Sequence, residues 1–218
     1  MNSNQLKTER KSLGWTQEET AKRLGVTQAC YSMLENGRRN LAPHARKLVS
    51  VFSLSPTALP LHEVRETVAP NVLAHELALL GYPGFAHLRG GGRRMNPAEF
   101  LLTALTQRNL EARVAEGLPW LVVRYPDMGR DWLLREARAK NLQNRLGFVV
   151  TLGRKATGRN DFSTLEQDLV DSKLERQDSF CKELKDSERR WLGEHSSEEA
   201  REWNLLSDLK PSDLRYVS

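Results

Sequence analysis

Cysteine is scarce in this chain: Cys30 and Cys181 are the only two in 218 residues. With no framework of pairs, disulfide stapling and a structural zinc site are both excluded as organising elements, and a reducing cytoplasm is the expected compartment. Long apolar runs are missing as well. None reaches the roughly 18 residues that a spanning helix needs, so no membrane role is expected. The opening stretch MNSNQLKTERKSLGW has no apolar core, which excludes a secretory signal there. Strong repeats and low-complexity tracts are also lacking. Recognisable catalytic chemistry is sparse. His44, His62, His75, His87 and His195 show no metal-type spacing, and His75–Glu76 lacks the second histidine of a zincin helix. There is no GxSxG turn and no Ser-Lys pair of the acylating kind. The reading is therefore of no enzyme, no catalytic residue, no metal site and no cofactor.

What is present is an uneven distribution of charge. Residues 1–60 carry nine Lys/Arg against four Asp/Glu, and residues 61–160 carry fifteen against nine. Residues 161–218 reverse the balance, with nine against fifteen, and the whole chain is left at +5. A basic front suits a polyanionic partner. The acidic tail is then either kept off that polyanion or meets a different partner.

Helical punctuation dominates the chain. A polar helix over Asn4–Leu13 stops at Gly14. Thr16 caps a second helix that stops at Gly25, and Thr27 caps a third that stops at Gly37. Pro43 opens a fourth helix through Phe52, and Ser55–Pro56 begins a short fifth. Residues 60–70, bounded by Pro60 and Pro70 and mostly polar, read as a linker or boundary, and 61–96 as a whole as a linker helix (NVLAHELALL) with a Gly/Arg-rich loop, RGGGRR, at 89–94. That loop is either a plain surface loop or a backbone cradle for an anion. Residues 97–218 read as a larger helical region. A helix over PAEFLLTALTQ starts at Pro97. The next is expected to kink or split at Pro119, and a third to break near Lys140–Asn141. Two or three charged helices follow Ser163, with Trp191, Trp203 and Leu205–Leu206 as packing anchors. Trp120 and Trp132 fit a core, a dimer face or a partner groove. VVRY and FVV favour strands, but each lies inside a helical pattern. The fold class is all-α.

The second and third helices are joined by Gly25–Val26 alone, too short a turn for them to lie antiparallel. They must cross steeply, with Ala21, Val26 and Tyr31 at the inner corner, which is a helix-turn-helix. The tract QLKTERKSLGWTQEETAKRLGVTQACYSMLENGRRN closely resembles the N-terminal DNA-binding domain of the phage repressor and Cro (Xre) family. The match runs through Leu6, Arg10, Gly14, Thr16-Gln17-Glu18-Glu19, Ala21, Leu24, Gly25-Val26-Thr27, Ser32 and Glu35-Asn36-Gly37-Arg38. It covers about residues 3–60.

The resemblance implies a five-helix domain whose third helix enters the major groove of double-stranded DNA. Gln28 and Ala29 are then base readers, through a bidentate pair to adenine and a contact with a thymine methyl, with Thr27, Ser32 and Met33 on the same face. Gln17 and its helix N-terminus are expected to hold phosphate. Asn36, Arg38 and Arg39 form a second phosphate clamp that positions the domain without reading sequence. Glu35 is implied to be a structural partner for Arg10. Tyr31 is expected to pack with its hydroxyl reaching outward. Cys30 is read as a half-buried small residue rather than a redox switch.

The expected function is a sequence-specific transcriptional regulator, a repressor that binds an inverted repeat as a homodimer through residues 97–218. The alternative is an antitoxin or defence-system controller whose C-terminal region neutralises a partner protein. A self-cleaving repressor tail would be mostly β, against the helical pattern here.

Overall fold

The computed structural model describes residues 2–90 and 94–217. The chain divides into two compact units, Met1–Leu61 and His62–Ser218, and is mostly helical.

The first unit is built from short helices with strong end signals. α1 (Ser3–Ser12) opens on a reciprocal cap in which Asn2 Oδ1 accepts from the Gln5 N–H (2.9 Å) and Gln5 Oε1 from the Asn2 N–H (2.8 Å). α2 (Gln17–Leu24) opens the same way through Thr16 and Glu19. The N–H donated by Thr16 holds the Glu19 carboxyl below the usual carboxylate range. α2 ends at Gly25, whose φ of +65° lets the Val26 N–H return to the Ala21 carbonyl at 3.0 Å. A side chain at Gly25 would carry the strain of the left-handed region.

Thr27 then caps α3 (Gln28–Glu35) by accepting from the Cys30 N–H at 3.2 Å. A 3₁₀ turn at Ala42–His44 leads into α4 (Ala45–Val51), and a second at Pro56–Ala58 takes the place of the expected fifth helix. Leu6, Ala21, Leu24, Tyr31, Leu34, Leu48 and Phe52 form the core of this unit, with Trp15 and Val26 half-buried against it.

The second unit holds α5 (Pro70–Leu79), a 3₁₀ segment Pro83–Leu88, α6 (Pro97–Thr106), α7 (Ala112–Arg124), α8 (Arg130–Ala139), α9 (Gln143–Thr157) and α10 (Ser163–Val170). β1 (Asp178–Ser179), α11 (Asp186–His195), α12 (Glu198–Glu202), β2 (Leu205–Leu206) and a 3₁₀ turn at Pro211–Asp213 complete it. β1 and β2 pair in parallel, with Asp178 opposite Leu205 and Ser179 opposite Leu206. This two-residue ladder, together with an isolated antiparallel bridge between Asn109 and Cys181, is strand pairing that the helical pattern did not foretell.

α9 is the central element. Every residue from Gln143 to Gly153 is buried, which is why its hydrophobic pattern runs around the helix instead of along one face. Two glycines let neighbours approach. A Cβ at Gly147 would lie 2.2 Å from the Trp203 ring, and one at Gly153 would lie 3.2 Å from the Pro119 carbonyl oxygen. Arg145 is a buried hub. Its Nε and Nη2 donate to the Asp178 carboxylate, and its Nη1 donates to the carbonyls of Leu105 (2.7 Å) and Gln107 (2.9 Å). Trp203 Nε1 donates to Thr151 Oγ1 at 2.8 Å, so the buried indole keeps its polar end satisfied.

Two expectations change here and one holds. α7 runs through Pro119 as one helix. A proline forfeits one backbone bond, and burial of both of its neighbours, Leu118 and Trp120, on the packed faces of α7 offsets that loss. The expected break at Lys140–Asn141 is present, with Asn141 at a φ of +56°. Trp191 is not a packing anchor: it is 49% exposed and stacks on His195 one turn later, because α11 buries no residue fully. Trp203, Leu205 and Leu206 are buried, as is Trp120, while Trp132 is half-buried against the core.

The segment 61–96 does more than link. Val64, Leu73, Leu77 and Phe85 enter the same core as α6 and α7. The extended stretch before α5 is held by a polar stripe along α6 and its C-cap, Gln107. The N–H groups of His62, Arg65 and Val68 donate to Glu99 (3.2 Å), Thr103 (3.4 Å) and Gln107 (2.9 Å). Those three residues are spaced by four, so one helix face satisfies the backbone of a segment that has no partner strand. Of the RGGGRR loop, Gly91, Gly92 and Arg93 lie outside the described residues.

Candidate nucleic-acid interface

α3 faces both ways. Tyr31, Leu34 and Glu35 are buried, whereas Gln28 and Ala29 are exposed and Met33 is 47% exposed. Thr27, Asn36, Arg38 and Arg39 are exposed, and Ser32 and Gln17 are half-buried. The outward face of α3 therefore presents an amide, a methyl and a thioether in its first two turns. Two guanidinium groups follow its C-terminal end.

Polar bonds inside the unit fix this face. Glu35 is 3% exposed and carries the load of three donors. Arg10 gives Nε (3.1 Å) and Nη2 (2.8 Å) to its Oε1, and Gln17 gives Nε2 to its Oε2 at 2.5 Å. The Arg10 guanidinium is held charged by this bond and also donates to the Trp15 carbonyl at 2.6 Å. Gln17 Oε1 in turn accepts from Gln28 Nε2 at 3.2 Å. A chain of bonds thus runs from α1 through the buried carboxylate to the first residue of α3. The implied pairing of Arg10 with Glu35 is present in the geometry.

Other expected side chains have specific partners. Asn36 Nδ2 donates to the Ser32 carbonyl at 2.8 Å and to its hydroxyl at 3.3 Å. Arg39 Nη1 donates to Cys30 Sγ at 2.9 Å, and the thiol is half-buried. Tyr31 differs from expectation. Its hydroxyl is buried inside the unit and does not reach outward. Burial first, and then the nearby Glu35 charge, push its ionisation up to about 12, against the opposing pull of Arg10. The residue is fully buried, so the aromatic ring occupies the core and takes its hydroxyl with it.

One cation was not singled out in the sequence. The Lys47 ammonium, on α4, lies over the Gly25 turn between α2 and α3. Its distance along the chain from the helix pair hides it from any local motif.

The first unit matches a family model described as helix-turn-helix over residues 6–59. Residues 6–59 are a helix-turn-helix domain of the Xre/Cro-like kind. This helix-turn-helix domain implies DNA binding and transcriptional regulation. The match leaves the second unit outside it, and no curated protein and no solved structure matches the chain. Among the described residues no helix is long and apolar enough to cross a membrane, and no group of three His, Cys, Asp or Glu side chains is placed to hold a metal ion.

Proposed function

We propose that this protein is a sequence-specific repressor that binds an inverted repeat as a homodimer, with residues 97–218 carrying the dimer contact. The observation that supports the reading is the outward face of α3. Gln28, Ala29 and Met33 stand free of the core on a helix whose opposite face is locked by Tyr31 and Leu34. A helix held so rigidly on one side presents its other side in a fixed register, which base readout requires.

Gln28 donates to and accepts from the edge of an adenine, and Ala29 meets a thymine methyl. Thr27, Ser32 and Met33 border these contacts in the groove. Gln17, Asn36, Arg38 and Arg39 hold phosphates on either side and set the register. A lone helix-turn-helix spans too few base pairs to find one site among a genome's competitors, so two copies on half-sites about one helical turn apart supply the missing discrimination.

Selection of bound duplexes from a random pool by the full-length chain tests this reading. The expected product is a two-fold symmetric sequence bound by two chains. A pool that stays random, or an asymmetric winner bound by one chain, contradicts it.

A further inference from the structure

The second unit contains an apolar cleft that its helical packing does not use. It has a volume of about 220 Å³. Leu110 lines it from just before α7 and Ala115 from the first turn of α7, Phe180 from the residue after β1, Leu206 from β2 and Leu192 from α11. Apolar side chains thus converge on unfilled space from four parts of the unit. A dry apolar cavity of about 150 Å³ already accepts benzene, so this one has room for a single ring with a short chain.

Charge at the rim gives the cleft a direction. Glu116 and Asp208 are both in the lining, and no Lys, Arg or His is. Neither carboxylate forms an ion pair among the described residues. The lining of this apolar recess thus carries two carboxylates and no cation, although Glu116 also faces Arg113 and Arg215 across a neighbouring pocket. Such a recess repels carboxylates and phosphates and attracts an apolar cation. α11 supplies Leu192 to one wall while burying no residue fully.

We propose that this cleft binds a small arylalkyl amine, with the ring against Phe180, Leu110 and Leu206 and the ammonium at the Glu116 and Asp208 carboxylates. The site stands apart from the DNA-binding reading and survives its failure.

Cys181 is part of the lining, and its thiol, which donates to Asn109 Oδ1 at 3.5 Å, serves as the reporter of occupancy. In the full-length chain, alkylation by N-ethylmaleimide is followed by mass spectrometry on the peptides of Cys181 and Cys30, with 2-phenylethylamine as probe. Phenylacetate serves as the charge-reversed control. The expected result is that the amine slows alkylation at Cys181 in a saturable way and leaves Cys30 unchanged, while phenylacetate protects neither. The double variant E116Q/D208N, which alters two exposed side chains, should weaken protection by about tenfold. Absence of protection at 10 mM amine, equal protection by phenylacetate, or protection unchanged in the double variant overturns the proposal.

Discussion

Gln28 Nε2 donates to Gln17 Oε1 at 3.2 Å across the turn that joins α2 to α3. The same Gln17 donates to the buried Glu35 carboxylate at 2.5 Å. Gln17 therefore orients the first residue of α3 while its own orientation is set by the core. A side chain so placed can support a neighbouring base reader even where it touches no base.

That coupling gives the first prediction. Gln28→Ala should remove discrimination at one base-pair position, about 1–3 kcal/mol in the ratio of binding constants for matched and mismatched duplexes. Gln17→Ala should relax the same position by a smaller amount. The double variant should fall short of the sum of the two, because both changes break one bonded pair. Fluorescence anisotropy on a set of single-base variants of the selected site reads all three.

Arg38 follows the C-terminal end of α3 and is exposed, where a phosphate contact carries no base information. Arg38→Ala should weaken binding to every duplex about equally and reduce the salt slope by about one unit. A changed base preference with an unaltered slope would place Arg38 at a base edge instead.

The Arg10–Glu35 pair has side chains 12% and 1% exposed. Removing one partner leaves the other charge uncompensated in the core. Glu35→Ala is expected to cost the first unit about 3–5 kcal/mol, read as a lower denaturant midpoint at unchanged slope. Replacement of both partners by apolar residues of similar volume should recover much of that loss.

In the second unit, Gly147 marks the tightest approach. A Cβ there would lie 2.2–2.4 Å from three ring atoms of Trp203, and a fully buried indole has little room to give way. Gly147→Ala should destabilise the unit by about 1–3 kcal/mol through overpacking. Chemical denaturation followed by tryptophan fluorescence measures it.

Asp178 gives a pH signature. Burial pushes its carboxyl up, but the hydrogen bonds and charge of Arg145 outweigh that, and the net shift is downward. A depressed folded value means that the stabilisation is complete above the ordinary aspartate range, near 4, and is lost as pH falls through the folded value. Stability of the wild type should therefore drop through that acid window more steeply than that of Asp178→Asn, measured as denaturant midpoints from pH 6 downward.

Much of the first unit was legible in the sequence because its information is local. Thr16, Gly25 and Thr27 act within a few residues of themselves, and the steep crossing of α2 and α3 follows from a two-residue turn. Tyr31 was half legible: its place at the inner corner follows from spacing, but the depth that takes its hydroxyl into the core depends on what α1 and α4 leave open. The second unit hides more. The stripe Glu99, Thr103, Gln107 on an apolar helix was a visible signal that α6 holds an extended segment, yet the segment itself reads as polar linker. The β1–β2 ladder joins residues 27 apart along the chain and rests on the buried Arg145 hub, which no short motif announces. Trp191 misled because an aromatic at helical spacing reads as core whether or not the helix beneath it has a face to bury.

The most direct measurement is an amide NMR titration of the ¹⁵N-labelled full-length chain with the duplex recovered by selection. The account predicts that the largest shifts fall on Gln17, on Thr27–Asn36 and on Arg38–Arg39, and that they vanish at high salt. Shifts that spare α3, or a spectrum unchanged by duplex even at low ionic strength, would contradict it.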